Sequence, residues 1–454
     1  MTLLAFFSAA LAADPVSAIT EQLHGDEGPA VAFACAPLSD TFAVLDRAGI
    51  GSEMLMMMPE NVKYWLSMSD PAVALEAGVD LDGSLIMTAD EGEGMDRAMS
   101  LSIPFSGSGE QATAMLERIG PRKGSPPGAS MGGWDVSGSG GGHFQLRSGP
   151  LDAVTVNPAL LSGLPSVPGC AILATDIAKE KMSGSILIHA PFVGENEPLR
   201  IRISTPGSLT FPSLTVPPQL PDIRTDTVPM AVAVVRFEPI ALLQQESFWS
   251  EESLWEEMGE KPGFSQEDVD KVAERLRVMP GTTIALFGNP KEPQWAATLP
   301  VANPEGRALS TWKLRRGMKK ADSSLEWSSR TTFTISRDEG PISGEISKGT
   351  IRLASSDALL SEARSDSGTP WISEAHAAHV ADWPVSVYIQ APELIPGIPE
   401  ISAYVGVQLQ PEYLEMSLSL PERRGELLSG LMKMVMMGAM QRSREAPAPE
   451  VTPL

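Results

Sequence analysis

Pro29-Ala30-Val31-Ala32-Phe33-Ala34-Cys35-Ala36-Pro37 leads into Asp40-Thr41-Phe42-Ala43-Val44-Leu45, and Pro229-Met230-Ala231-Val232-Ala233-Val234-Val235-Arg236-Phe237 leads into Pro239-Ile240-Ala241-Leu242-Leu243. Each is a short apolar run entered from a proline, the pattern of a buried strand, followed by helix-like spacing. The two strand segments stand 200 residues apart. Val154-Thr155-Val156-Asn157 precedes Ala159-Leu160-Leu161-Ser162, and Ile351-Arg352-Leu353-Ala354 precedes Ala358-Leu359-Leu360-Ser361, with the Ala-Leu-Leu-Ser segments 199 residues apart. Buried-strand patterns at 169–175 and 385–391 follow, then strands that close on Pro206 and Pro421. Four correspondences in one order predict the tandem duplication of a unit of about 190 residues.

Inside one unit the signals alternate between strand and helix. Asp70-Pro71 reads as the start of a short helix that Gly78 stops. Strands follow over 84–88 and 97–105, and Ser108 caps a helix over 110–119. The second half repeats this with strands over 282–287 and 294–301 and a helix begun by Asn303-Pro304. Short connections between sequence-adjacent strands predict hairpins and antiparallel sheet. The expected fold is therefore α+β: two tandem homologous units, 26–206 and 229–421, each a mainly antiparallel sheet with helices packed on one face. Residues 207–228 are Pro-rich and read as a linker. Residues 422–442 read as a Met-rich helix and 443–454 as a disordered tail.

The 454-residue chain carries 34 Lys and Arg against 57 Asp and Glu, a formal net charge of −23. A surface this acidic repels phosphate backbones and anionic headgroups, which argues against nucleic acid and against a polybasic membrane contact as partners. An apolar fraction of 43% with 20% charged residues is enough to bury a core.

Leu3-Leu4-Ala5-Phe6-Phe7-Ser8-Ala9-Ala10-Leu11 has the length of a signal-peptide hydrophobic region, and Ala10-Leu11-Ala12 resembles a cleavage site, so residues 1–12 read as a signal peptide. Periplasmic or extracellular localisation follows, with no transmembrane helix expected. In that compartment Cys35, late in its strand, and Cys170, early in its own, are placed for an antiparallel bridge. Two buried free thiols are the alternative, and a lipobox at Cys35 is a poor match.

The candidate chemistry is sparse. Gly128-Ala129-Ser130-Met131-Gly132 fits G-x-S-x-G but lacks the strand before and the helix after that a nucleophile elbow needs. His376 and His379 share a helix face with Asp382 one step on, either an incomplete metal site or a solvated face. Asp80-Leu81-Asp82-Gly83 resembles part of a calcium loop, and a turn explains it as well. No cofactor motif is present.

Methionine is the compositional oddity: the chain has 22, with clusters at Met54, Met56, Met57 and Met58 and again at 432–440. Flexible thioethers suit adaptable apolar surfaces. Met54, Met56, Met57, Met58, Leu431, Met434, Val435 and Met437 are the candidate ligand or partner surface. The run Ala74-Leu75-Glu76-Ala77-Gly78-Val79-Asp80-Leu81-Asp82-Gly83-Ser84, with the Ala-Leu-Leu-Ser helices, resembles uncharacterised bacterial envelope proteins built from tandem α+β units behind a signal peptide. That resemblance implies export and a repeated fold, and no active site. The expectation is a non-catalytic exported envelope protein that binds an apolar small molecule, a lipid or a partner envelope protein. The alternative is a secreted hydrolase or metal-dependent enzyme using Ser130 or the His376/His379 pair.

Overall fold

The computed structural model describes residues 14–47, 64, 67–90, 99–119, 135–138, 143–147, 151–175, 184–192, 198–204, 223–245, 265–289, 292–321, 325–336, 340–363, 368–380, 382–391 and 401–419. Antiparallel strands predominate in a mixed α+β structure, as the hairpin spacing predicts. Described residues up to Ser204 belong to one compact unit and those from Ile223 to Ser419 to another. The segments 1–12, 207–222 and 420–454 lie outside the described residues.

The first unit is built around β1 (Val31–Ala36). On one side lie β2 (Leu85–Ala89), β3 (Met99–Pro104), β4 (Asp135–Gly138) and β5 (His143–Arg147), and on the other β6 (Gly169–Thr175), β7 (Ser185–Pro191) and β8 (Leu199–Ser204). The order is β4-β5-β3-β2-β1-β6-β7-β8, antiparallel throughout. Helix α1 (Pro15–Thr20) starts eleven positions ahead of residue 26, where the sequence places the unit boundary. Asp14 caps it, accepting from the Val16 and Ser17 amides at 2.9 Å, and also takes the Ser166 hydroxyl at 2.6 Å. Val16, Ala18 and Ile19 are buried beneath that cap.

Helices α2 (Leu38–Arg47), α3 (Pro71–Ala77) and α4 (Gly109–Ile119) share one core through Leu38, Phe42, Ala74, Ala77 and Met115, which gather on Ile103 of β3. The capping signals hold. Asp70 accepts from the Ala72 amide, and Gly78 closes α3 at φ +79°, where a β-carbon is disfavoured. Ser108 and Gln111 form a reciprocal capping box, and the Gln111 amide also donates to the Glu76 carbonyl at 2.8 Å. One side chain thus satisfies the start of α4 and a carbonyl in the last turn of α3.

The second unit is built around β9 (Ala231–Val235). Its other strands are β10 (Thr282–Asn289), β11 (Glu292–Ala302), β12 (Glu326–Trp327), β13 (Thr332–Ile335), β14 (Ile342–Ser347), β15 (Thr350–Ala354), β16 (Val385–Ala391), β17 (Ile401–Leu409) and β18 (Tyr413–Ser419). The order is β12-β13-β14-β15-β11-β10-β9-β16-β17-β18, again antiparallel. Its helices are α5 (Pro239–Leu243), α6 (Gln266–Ala273), α7 (Thr311–Ala321), α8 (Asp357–Glu362) and α9 (Glu374–Val380). Arg224–Thr225 pairs with Thr369–Pro370, so the end of the Pro-rich stretch belongs to this unit's structure.

Three expectations change. First, helices of the second unit pack on both faces of its sheet, α8 and α9 on one and α7 on part of the other, over β11 and β15. Leu359 and Leu360 of α8 and Val380 of α9 pack with Val234, Ala296 and Ala354, whereas Leu314 and Met318 of α7 pack with Leu299, Val301 and Ile351. Ala296 pairs with Ala354 and Leu299 with Ile351, and successive strand residues point to opposite sides. Both faces of β11 and β15 are apolar, so both need cover. Second, Asn303-Pro304 opens a turn and no helix. The Asn303 carbonyl accepts from Gly306, which sits at φ +78°, and the Asn303 side chain takes the Arg307 amide, so the helix waits until Thr311. Third, Val154–Thr155 pairs with Glu27–Gly28 in a separate two-stranded ladder, whereas Ile351–Ala354 lies in the main sheet beside β11. That pair of segments therefore occupies different places in the two units.

Candidate functional site

Strand register builds the broadest feature of each unit. In the first, Phe33 of β1 stands opposite Met87 on one side and Ile172 on the other; Ile172 faces Ile188, and Ile188 faces Ile201. All five are half-buried. The intervening residues of the same strands, Ala32, Ala34, Leu173 and Leu187, are at most 1% exposed. Along these strands the sheet thus has one face closed to solvent and an apolar face that solvent reaches in part, since Leu101 and Ile103, on the same side as Met87, lie in the core shared with α2, α3 and α4.

The second unit repeats the arrangement. Ala233 of β9 stands between Ile284 and Val387; Val387 faces Val405, and Val405 faces Leu418. Ile284 is 39% exposed, and the other four are half-buried. β-Branched side chains dominate both rows, as expected where stiff side chains pack on a pleated surface. A row of apolar side chains running across several strands is chemically suited to hold a flexible hydrocarbon, and offers no group for covalent or acid–base chemistry.

Cys35 and Cys170 are disulfide-bonded, directly opposite one another on β1 and β6 with 4.2 Å between their α-carbons. Cys35 is fully buried. The late-against-early reading of the two strands gives this register: Val31 meets Ala174 at one end and Cys35 meets Cys170 near the other.

The histidine pair is neither a solvated face nor a metal centre among the described residues, which hold no group of three His, Cys, Asp or Glu fit for a metal. Helix α9 lays His376 and His379 on the aromatic side chains of β16 and β17. The His376 ring lies 5.5 Å from Tyr388 and 6.1 Å from Tyr404; His379 lies 5.3 Å from Tyr404 and 6.5 Å from Trp383. Tyr388 and Tyr404 form a stacked cross-strand pair. His376 is fully buried, with Nε2 3.4 Å from the Ser386 hydroxyl and Nδ1 unpartnered among the described residues. Burial, with a smaller contribution from nearby His379, lowers its pKa to about 4. His379 is also lowered by burial, opposed by Asp382. Burial thus favours the neutral form of both rings, which pack within an aromatic layer.

Asp80 and Asp82 form a turn, with the Asp82 amide donating to the Asp80 carboxylate at 3.1 Å and the Gly83 amide to the Asp80 carbonyl. Ser130, Met54, Met56, Met57, Met58, Leu431, Met434, Val435 and Met437 lie outside the described residues. The apolar rows were not among the sequence candidates. Each strand shows its own apolar positions, but the alignment of Phe33 with Ile172, Ile188 and Ile201 depends on inter-strand register, which a single strand does not reveal.

The chain matches no known family model, no curated protein and no solved structure.

Proposed function

We propose that this is a non-catalytic protein of the bacterial cell envelope that holds an apolar small molecule, such as a lipid acyl chain, against the second face of its sheets. The observation that carries the reading is the pair of register-aligned rows, Phe33-Ile172-Ile188-Ile201 and Ala233-Val387-Val405-Leu418. Their partial burial favours a slender occupant over a flat protein surface: all but Ile284 of the residues named for the two rows are half-buried, and a rigid partner needs projecting contacts. Polar groups that would orient a reacting substrate are absent from the rows themselves.

Export is supported by the Cys35–Cys170 disulfide, which suits an oxidising compartment. It is also supported by the position of Asp14, whose buried cap lies two residues beyond Ala12. Tandem duplication is supported by the parallel strand orders: in each unit one central strand, β1 or β9, lies between a long hairpin arm on one side and a three-strand meander on the other. No helix among the described residues is long and apolar enough to cross a membrane.

The test is native mass spectrometry of the purified full chain before and after organic extraction. A discrete mass lost on extraction, identified as a lipid or similar apolar molecule in the extract, is the expected result. A chain that carries nothing and that takes up no fatty acid or phospholipid on incubation removes the proposal.

A further inference from the structure

The overall charge of −23 conceals a local reversal. Between Arg307 and Ala321 the sequence has Arg307, Lys313, Arg315, Arg316, Lys319 and Lys320, and no Asp or Glu. Most of this segment is helix α7. Its inward stripe is already used: Leu314 is buried with Val301, Phe333 and Ile346, and the Arg315 guanidinium lies 4.7 Å above the Trp327 ring.

The outward stripe is unused. Trp312, Lys313, Arg316 and Lys319 are exposed, and Trp312 keeps 64% of its surface in solvent. The Arg316 guanidinium lies 5.4 Å from the Trp312 ring. None of Lys313, Arg316 and Lys319 makes an ion pair among the described residues. Gly317 sits between them with open space where a β-carbon would stand. A large aromatic this exposed contributes little burial to the unit.

Three kinds of partner present an extended negative surface: a nucleic acid, an acidic protein and an anionic bilayer. A polynucleotide extends beyond one helix face, and a chain of net charge −23 repels it. A bilayer meets only the face turned towards it, and acidic groups more than about 8 Å away are screened at physiological salt. The indole then decides between bilayer and acidic protein. Tryptophan is favoured at the headgroup level because its body leaves water while its N–H stays wet, and Lys and Arg beside it meet lipid phosphates. We propose that the outer face of α7 is a docking surface for anionic membrane, with Trp312 entering the headgroup layer and Lys313, Arg316 and Lys319 pairing with lipid phosphates. This does not depend on whether the sheet faces hold an apolar ligand.

The experiment is flotation of the full chain with phosphatidylcholine vesicles, with and without one-third phosphatidylglycerol, at roughly 50 mM and 500 mM salt. The wild-type chain is expected to float with the anionic vesicles at low salt, to be released at high salt, and to ignore the neutral ones. The charge reversal K313E/R316E/K319E should lower partitioning at least tenfold, and Trp312→Ala several-fold. If the triple variant fails to fold, judged by circular dichroism, K313Q/R316Q/K319Q replaces it. Absence of flotation by the wild type, or equal flotation by the charge variants, overturns the proposal. Displacement by heparin with Trp312→Ala behaving as wild type assigns the face to a polyanionic or acidic protein partner and overturns the membrane proposal as well.

Discussion

Cys35 faces Cys170 across the central strand pair of the first unit, and at the matching place in the second unit Val235 faces Val385. A covalent link thus joins the central strand pair of the first unit, and a valine pair stands between the central strands of the second. A link between residues so far apart in sequence acts chiefly by restraining the unfolded chain.

The bridge spans 135 residues of sequence, and loops of this order are stabilised by about 2–5 kcal/mol on closure. The variant C35V/C170V, which copies the second unit, should keep its antiparallel sheet by circular dichroism while the first unit unfolds at lower urea. An unchanged unfolding midpoint would show that the link contributes nothing.

His376 supplies a pH dependence. Its folded pKa of about 4 lies below the ordinary 6.5, so the folded unit favours the neutral ring. The stabilisation is fully present above pH 6.5 and declines as the pH falls towards 4, because the unfolded chain gains the proton first. The span corresponds to about 3 kcal/mol at most. His376→Phe keeps the aromatic contacts with Tyr388 and Tyr404, and urea unfolding of that variant should be much flatter across this window. A variant with the full wild-type dependence would place the titrating group elsewhere.

Three glycines separate packing from propensity. A β-carbon at Gly406 would fall on the Trp383 indole, and one at Gly344 on the Phe333 ring. Gly406→Ala and Gly344→Ala should each destabilise by about 1–3 kcal/mol, the usual cost of overpacking. Gly317→Ala, in open space on α7, should stabilise by about 1 kcal/mol through helix propensity alone. Thermal unfolding of the three variants reads the opposite signs directly; a destabilised Gly317→Ala would mean that the outer face of α7 is already covered.

The parts of this fold that were legible in the sequence are those governed by local chemistry. Asp70 and Gly78 bound α3, Ser108 opens α4, and the proline-bounded runs of β1 and β9 are central strands. What was hidden depends on register or on where charge sits. Alternation is lost in a run such as Val31 to Ala36, where both sides are apolar, so the two-sided packing of the sheets had no local signature. Asn303-Pro304 carries a helix-start signal that Gly306, three positions on, turns into a reversal. The net charge masked α7; a charge count over a window of about fifteen residues would have exposed it.

The central claim is that Phe33-Ile172-Ile188-Ile201 and its counterpart in the second unit receive an apolar ligand. The most direct measurement is titration of the full chain with a fluorescent fatty acid, comparing wild type with Ile188→Glu and Val387→Glu after circular dichroism has shown each variant folded. The account predicts saturable binding by the wild type and loss of at least tenfold in affinity where a carboxylate interrupts a row, since burying it unpaired is costly. Binding that is absent in the wild type, or undiminished in both folded variants, would contradict it.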